Sequence, residues 1–200
     1  MIVGTPPLDA IAVDDGQQHW TFGEVEARVA AFANRLKEQG SRVLATLLDN
    51  SPAWVVADAA ALRAGVVHVP LPAFFTPQQF MHAMAVSGAD TLLTSPQLAS
   101  RWPQASSEAC EVTGQSLAML RLPGRAVPMP EGTAKITFTS GTTGAPKGVC
   151  LTSAAMDRVA DGLMKAMEPL DIWRHLCALP FALLLQNVAG LWGPLPRGAT

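Results

Sequence analysis

The sequence predicts an α/β fold with a mostly parallel sheet and helices on both faces. Short runs rich in β-branched residues alternate with helical patterns along almost the whole chain, which is typical of parallel strands joined by right-handed crossovers. The 200 residues are 49% hydrophobic and 15% charged, which suits one domain with a substantial core. A glycine-rich stretch follows an apolar run at residues 136–138, and sheets of this class bind ligands beyond the carboxyl ends of their strands.

The first helix is predicted from its cap. Residues 11–13 form a short predicted strand, and Thr21 with Glu24 three residues later makes a capping box. Apolar residues then recur at spacings of three and four as far as Leu36, which places them on one helical face. Gly40 ends this helix, which we interpret as scaffold.

The middle of the chain continues the alternation. A proline follows Ser51, so a helix is expected to begin there, and Gly65 ends it. Prolines after Thr76 and Ser95 mark two further helix starts in the same way. Residues 102–114 lose the pattern, and we interpret them as variable surface. The remaining predictions for this part are strands at 42–48, 66–69, 91–94 and 116–122 and a loop at 123–132.

Three residues in apolar strands are candidates for chemistry but favour a packing role. His175 and Cys177 lie two residues apart, so their side chains face the same side, and too few ligands accompany them for a metal site. We therefore expect both in the core, and we expect the same of His68. No metal site is predicted. The predicted elements of this last part of the chain are a helix at 152–167, a strand at 175–179 and a helix at 183–192.

Charge and composition exclude several classes of protein. The net charge of −2 provides neither a basic footprint for nucleic acid nor a polybasic membrane patch. The most apolar stretch, residues 176–192, is too short and too interrupted for a membrane span. Three cysteines form no paired framework and the start of the chain lacks a signal peptide, so a reduced, cytoplasmic protein is expected. The sequence contains no Gly-x-Ser-x-Gly nucleophile elbow, so nothing in it supports a serine hydrolase of that kind.

Residues 136–151 carry the candidate chemistry. Two apolar runs flank three glycines, four hydroxyl side chains, one proline and Lys147. Backbone N–H groups at glycines can form an anion nest, and the hydroxyls and the lysine add further donors and a cation, so the stretch suits a polyphosphate. The dense hydroxyls disfavour the alternative of a solvated hairpin loop. The stretch is not a Walker A loop, because Pro146 and Gly148 stand where that pattern needs glycine and Ser or Thr.

The run from Thr139 to Gly148, Thr-Ser-Gly-Thr-Thr-Gly-Ala-Pro-Lys-Gly, resembles the signature loop of the adenylate-forming superfamily. That superfamily includes acyl- and aryl-CoA synthetases, luciferases and the adenylation domains of peptide synthetases. Residues 20–25 are similar to its Thr-Tyr-x-Glu-Leu segment, and residues 62–71 to its Leu-Lys-Ala-Gly-x-x-x-Val-Pro segment. The resemblance implies that residues 1–200 are the N-terminal part of an AMP-binding (adenylation) domain, without the rest of that domain or the C-terminal domain that bears a lysine.

The resemblance also implies a two-step ligase of the acyl-CoA synthetase kind. A carboxylate attacks the α-phosphate of Mg-ATP and yields an acyl-adenylate, and a thiol of coenzyme A or of an acyl carrier protein then takes the acyl group. The family's ligands for Mg²⁺ and ribose lie further along the chain, so none is assigned here, and Lys147 is expected to be catalytic. The residues expected to contact the ATP phosphates are Thr139, Ser140, Gly141, Thr142, Thr143, Gly144 and Lys147.

Residues 179–191 resemble the family segment Leu-Pro-x-x-His-x-x-Gly-Leu, which borders the acyl pocket. Matching from Gly190 backwards places Asn187 at the imidazole position, and an asparagine cannot exchange protons near neutral pH. A pocket role and a buried helix cap both remain open for Asn187. The apolar run at 183–185 favours a fatty or other hydrophobic acid as the substrate.

Two other hypotheses compete with the ligase. A phosphate-binding NTPase of another fold would need a true Gly-Lys-Ser/Thr and a later acidic metal ligand. A non-catalytic interaction fragment would carry a vestigial loop. We expect the 200-residue chain alone to bind nucleotide weakly and not to turn over. We also expect it to form homodimers or to aggregate through an apolar surface that the missing half would cover.

Overall fold

The computed structural model describes residues 6–139, 145–170 and 172–200, and it confirms the predicted α/β class. Helices and strands alternate through most of the described chain. The strands are β1 (Ile11–Asp14), β2 (His19–Thr21), β3 (Val43–Leu47), β4 (Val67–Pro70), β5 (Thr91–Thr94), β6 (Ser106–Val112), β7 (Gln115–Arg121), β8 (Thr133–Thr139) and β9 (Lys147–Thr152). The helices are α1 (Phe22–Glu38), α2 (Pro52–Ala64), α3 (Pro77–Ser87), α4 (Pro96–Ala99), α5 (Ser153–Met167) and α6 (Leu184–Asn187).

Seven of these strands form one sheet, in the order β6-β7-β5-β3-β4-β8-β9. The central strands β5, β3, β4 and β8 are parallel, whereas the strands at both edges run antiparallel to their neighbours. The pair β1 and β2 lies apart from this sheet. Every residue of β3 and β5 is buried, as expected of parallel strands that are covered on both faces.

Helices cover both faces of the sheet, as predicted. Phe32 of α1 and Val56 of α2 belong to the same core cluster as Leu44 of β3. On the opposite face, Phe80 of α3 belongs to a second cluster together with Ala45 of β3. Successive side chains of a strand point to opposite faces, so β3 contributes to both cores.

The helices begin where the sequence places their caps. The N–H of Glu24 donates to the Thr21 hydroxyl at 3.2 Å, and the Glu24 carboxylate accepts from the N–H of Thr21 at 2.8 Å. Ser51 and Thr76 cap α2 and α3 with their hydroxyls in the same way. Gly65 ends α2 with a φ of 71°, a left-handed conformation that glycine adopts without steric cost.

Strand β6 contradicts the expectation that residues 102–114 are variable surface. β6 pairs antiparallel with β7 along its whole length, from Ser106 opposite Arg121 to Val112 opposite Gln115. Within β6 only Cys110 and Val112 are buried. The prediction is wrong here because pairing with β7 determines this strand, and an exposed edge strand needs no apolar alternation.

The predicted strand at 175–179 is also wrong. All of these residues are described and none lies in a strand; the Asn50 amide donates instead to the carbonyls of Cys177 at 3.2 Å and Leu179 at 2.8 Å. His175 is half-buried and belongs to no core cluster, so its predicted core position is wrong, whereas Cys177 is half-buried and packs against a core cluster that includes Trp54. His68 is 1% exposed, and its predicted core position is confirmed.

The predicted helix at 183–192 is present in two pieces. It consists of α6 and a π-helical turn, Val188–Trp192, that follows it directly. Gln186 explains part of this geometry: its side-chain carbonyl accepts from the N–H of Leu179 at 3.2 Å, which links α6 to the irregular segment before it.

Candidate active site

The hairpin of β8 and β9 carries the signature stretch at the edge of the sheet. β8 runs parallel to β4, so its carboxyl end lies at the side where sheets of this class bind ligands. Thr139, the last residue of β8, pairs with Lys147, the first residue of β9, and both are exposed. Their assignment to the ATP phosphates stays a prediction. Five further predicted phosphate contacts lie outside the described residues: Ser140, Gly141, Thr142, Thr143 and Gly144.

Gly148 allows the two strands of the hairpin to pack closely. It pairs with Phe138, and a Cβ added to Gly148 would lie 3.3 Å from Phe138 Cε1 and 3.0 Å from Ile136 Cγ2. A side chain at this position would therefore press on two residues of β8. Phe138 also packs edge-on against Phe75, with 6.4 Å between the ring centroids. The glycine of the Pro-Lys-Gly segment thus has a packing role within the hairpin.

β8 also contributes to a buried polar cluster, which consists of Asp58, His68, Lys135 and Asn187. Lys135 Nζ lies 2.6 Å from Asp58 Oδ1 and donates to Asn187 Oδ1 at 2.5 Å. The same Asp58 oxygen lies 2.5 Å from His68 Nδ1, and Asn187 Nδ2 donates to Asp58 Oδ2 at 3.2 Å. Each of the four residues is 6% exposed or less. The cluster joins α2, β4, β8 and α6, and so it ties the strand before the signature stretch to the core.

The buried polar cluster contains one ion pair. Burial raises the pKa of Asp58, but Lys135 and His68 outweigh burial and keep this pKa well below its ordinary value. Burial lowers the pKa of His68, and the Asp58 carboxylate offsets that effect only in part. Burial likewise lowers the pKa of Lys135 against the opposing effect of Asp58. His68 is therefore neutral at pH 7, donating from Nδ1 to Asp58, while its Nε2 accepts from the Thr46 hydroxyl at 2.9 Å.

The side chain of Asn187 lies inside this cluster. Its oxygen accepts from Lys135 and its nitrogen donates to Asp58, and it makes no capping hydrogen bond to the turn that it precedes. The geometry thus differs from a helix cap, and the assignment of Asn187 to an acyl pocket stays a prediction. Leu184 and Leu185 on the same short helix are 38% and 69% exposed.

Sequence reasoning missed Asp58 and Lys135. Each is the single charged residue in an apolar stretch, Asp58 among residues 52–62 and Lys135 among residues 133–139. A charge buried without a partner is strongly unfavourable, so two isolated charges of opposite sign in apolar elements are a signal of a buried pair.

A cleft of about 690 Å³ lies away from the hairpin, between the turn after β1, the start of α2 and the C-terminal segment. Its walls include Asp14, Asn50, His175 and Cys177, and within the described ranges no residue of β8 or β9 lines it. Burial raises the pKa of the Cys177 thiol, which disfavours a reactive thiolate there.

In the part of the chain that the structure describes, no cluster of His, Cys, Asp or Glu is arranged to bind a metal ion. No helix in these ranges combines the length and the apolar character that crossing a bilayer requires.

The model of the AMP-binding enzyme family matches residues 3–200. The chain belongs to the AMP-binding enzyme family. Pyochelin synthetase PchE of Pseudomonas aeruginosa is 30% identical to this chain in an alignment over 203 residues, which covers 98% of the chain and 13% of the relative. The nonribosomal peptide synthetase sirP of Leptosphaeria maculans is 31% identical over 158 residues, which cover 75% of this chain and 7% of the relative. The chain therefore spans only a small part of these relatives.

Solved structures of adenylate-forming enzymes resemble the chain over nearly its whole length. O-succinylbenzoate coenzyme A synthetase (MenE) from Bacillus subtilis, in complex with ATP and magnesium ion, matches with a TM-score of 0.73 and 25% identity, over 96% of this chain and 53% of that one. A malonyl-CoA ligase with methylmalonyl-CoA and AMP bound matches with a TM-score of 0.73 and 26% identity, over 99% of this chain and 42% of the ligase chain. The chain spans about half the length of these enzymes.

Proposed function

We propose that this member of the AMP-binding enzyme family takes part in the activation of a carboxylic acid by ATP. A carboxylate oxygen of the acid attacks the α-phosphorus of Mg-ATP, the bond to pyrophosphate breaks, and an acyl-adenylate forms. A thiol then attacks the acyl carbon and AMP leaves. The observation that supports this proposal is the β8–β9 hairpin, which places exposed Thr139 and Lys147 side by side at the ligand-binding side of the sheet.

The signature stretch supplies the groups that this chemistry needs. Negative charge builds up on the phosphoryl oxygens and on the departing pyrophosphate, so preorganised N–H and O–H donors and a cation stabilise the transition state. Lys147 is the proposed catalytic residue, and it contacts the β- and γ-phosphates. Magnesium enters with ATP as part of the substrate, and no ligand for it is assigned among the described residues. The proposed phosphate contacts are Thr139, Ser140, Gly141, Thr142, Thr143, Gly144 and Lys147.

The proposed substrate is a hydrophobic acid and the proposed acceptor is coenzyme A. Exposed Leu184 and Leu185 support an apolar acyl group, and Asn187 contributes to the acyl pocket by fixing α6 to the buried polar cluster. The names of the two solved neighbours support coenzyme A, whereas the curated relatives are peptide synthetases. A carrier-protein thiol is therefore the competing acceptor, and assays with each thiol distinguish the two.

We also propose that the chain is the N-terminal part of an adenylation domain and is inactive by itself. The chain spans about half the length of the solved neighbours. Several large apolar side chains between residues 170 and 185 are exposed, and exposed apolar surface marks contact sites. The isolated chain should therefore self-associate, and a monodisperse monomer in light scattering would contradict this. The large apolar residues that are exposed between residues 170 and 185 are Leu170, Ile172, Trp173, Leu176, Leu179, Leu184 and Leu185.

Exchange between ATP and labelled pyrophosphate in the full-length protein tests the proposed reaction. Lys147→Ala should lower the acid-dependent exchange rate by about 100-fold or more, because the cation on the departing pyrophosphate is lost. Lys165→Ala is the matched control, since Lys165 is an exposed lysine on α5, away from the hairpin.

The competing hypotheses predict different results in the same assay. Unchanged exchange in Lys147→Ala would support an interaction fragment with a vestigial loop. ATP hydrolysis that needs no acid would support an NTPase. Rapid exchange by the isolated 200-residue chain would overturn the proposal that it is inactive alone.

A further inference from the structure

His82 on α3 makes a hydrogen bond to the residue before Lys147. Its Nε2 lies 3.1 Å from the carbonyl oxygen of Pro146. A carbonyl can only accept, so Nε2 carries the proton of this hydrogen bond. Pro146 is buried between exposed Ala145 and exposed Lys147, whereas His82 is half-buried. The backbone carbonyls of buried residues are generally hydrogen-bonded, and for Pro146 the partner is His82.

This contact matters because β9 is an edge strand. In the described part of the chain, β8 is its single strand neighbour. Where the hairpin opens, the Thr139 hydroxyl reaches the carbonyl of Lys147 at 3.5 Å, a long contact for a hydrogen bond. The bond from His82 is shorter and comes from a helix outside the hairpin, so it anchors the start of β9 to α3.

We propose that His82 is a positioning residue for Lys147. The ring of Pro146 restricts its φ, and the hydrogen bond from His82 restricts its ψ by fixing the carbonyl. The peptide plane that leads into Lys147 is then determined, and with it the direction in which the side chain of Lys147 leaves the backbone. His82 acts through Lys147. This inference rests on the proposed function, which assigns Lys147 to the phosphates of ATP.

Three substitutions separate the hydrogen bond from the bulk of the ring. His82→Ala removes both, and alanine favours the helix, so α3 itself is not weakened. His82→Phe keeps a ring of similar size without a donor. His82→Gln retains an N–H donor at about the reach of Nε2. Met81→Ala is the matched control, since Met81 is the preceding residue of α3 and is 60% exposed.

The first measurement is the KM for ATP in pyrophosphate exchange by the full-length protein. His82→Ala and His82→Phe should raise this KM about two- to ten-fold, the range expected for one lost hydrogen bond, without changing the KM for the acid. His82→Gln and Met81→Ala should match the wild type. Equal KM values for ATP in all variants, or no recovery in His82→Gln, would overturn the positioning role.

The second measurement does not depend on the proposed reaction. Trypsin cleaves after lysine, and the rate of cleavage after Lys147 in the nucleotide-free protein reports how firmly the start of β9 is held. His82→Ala and His82→Phe should raise this rate and leave cleavage after Lys165 unchanged, while His82→Gln should not raise it. Equal rates would refute the anchor. If the wild type shows no exchange but cleavage changes as expected, the proposed function fails and the anchor stands.

Discussion

Replacing Lys135 by methionine is the sharpest test of the buried polar cluster. Methionine has a similar length and no charge, so the packing of the site is largely retained. The substitution leaves the Asp58 carboxylate inside the core without its cation, and it removes the hydrogen bond to Asn187. It also removes the contact of Lys135 Nζ with the Trp192 ring, whose centroid lies 4.9 Å away.

The expected loss of stability follows from the burial of the pair. Removing one partner of a buried ion pair costs about 3–5 kcal/mol, because the other charge remains buried. Asp58 is 6% exposed but keeps the donors His68 and Asn187, which favours the lower end of that range, about 3 kcal/mol. Domains are stable by about 5–15 kcal/mol, so the loss is a large fraction of the whole.

The double variant Lys135→Met/Asp58→Asn removes both charges together. The new amide at position 58 can still accept from His68, and Asn187 can turn its own amide to accept from the new NH₂ group. The double variant should therefore lose only about 1 kcal/mol, less than the single variant.

Urea unfolding monitored by tryptophan fluorescence measures both effects. With a slope of about 2–3 kcal/mol per molar urea, Lys135→Met should lower the midpoint by about 1 M or more. Lys165→Met, at an exposed position of α5, should stay within about 0.5 kcal/mol of the wild type. A small shift in Lys135→Met, or a double variant no more stable than the single one, would refute the reasoning.

Two further predictions concern acid and a glycine. The pKa of His68 in the folded protein lies below its ordinary value of 6.5, so the unfolded chain binds this proton first as the pH falls. The contribution of His68 to the free energy of unfolding is therefore fully present above pH 6.5 and is lost progressively below that pH. Because the pKa of Asp58 is also lowered in the folded protein, the free energy of unfolding falls a second time below pH 3.8, the ordinary pKa of this carboxyl. His68→Asn keeps a donor for Asp58 but cannot titrate, so it should flatten the first fall, measured as urea midpoints from pH 7 to pH 5. Gly88→Ala should lose about 2 kcal/mol or more in thermal unfolding, because φ is +65° and the new Cβ would lie 2.5 Å from the carbonyl oxygen of Arg125. Gly40→Ala, with φ +63° and open space around it, should lose about 1 kcal/mol, and equal losses at the two glycines would contradict this account.

The elements that the sequence predicts correctly are those whose signals are local. The capping box of Thr21 and Glu24, the proline after Ser51 and the left-handed glycine at 65 each act within a few residues, and the structure shows all three. The two apolar runs that flank the signature stretch are also local signals, and they lie in β8 and β9, where Phe138 pairs with Gly148.

The features that the sequence does not predict depend on distant partners. Strand β6 exists because β7 pairs with it, and the apolar run at 175–179 stays irregular because Asn50 binds its carbonyls. The buried polar cluster unites Asp58 and Lys135, which are far apart in the chain, and periodicity carries no record of such a pairing. The anchor from His82 to Pro146 is equally non-local.

The place of β8 in the sheet has a consequence for the order of folding. β4 lies between β3 and β8, and His68 is aligned with Lys135 across the β4–β8 boundary. During synthesis, β3, β4 and β5 leave the ribosome well before β8. Until β8 is made, one edge of β4 has no neighbouring strand and Asp58 has no Lys135 to pair with. The pairing of β8 with β4 therefore completes the parallel part of the sheet and also supplies the cation that pairs with Asp58. The same strand leads directly into the signature stretch.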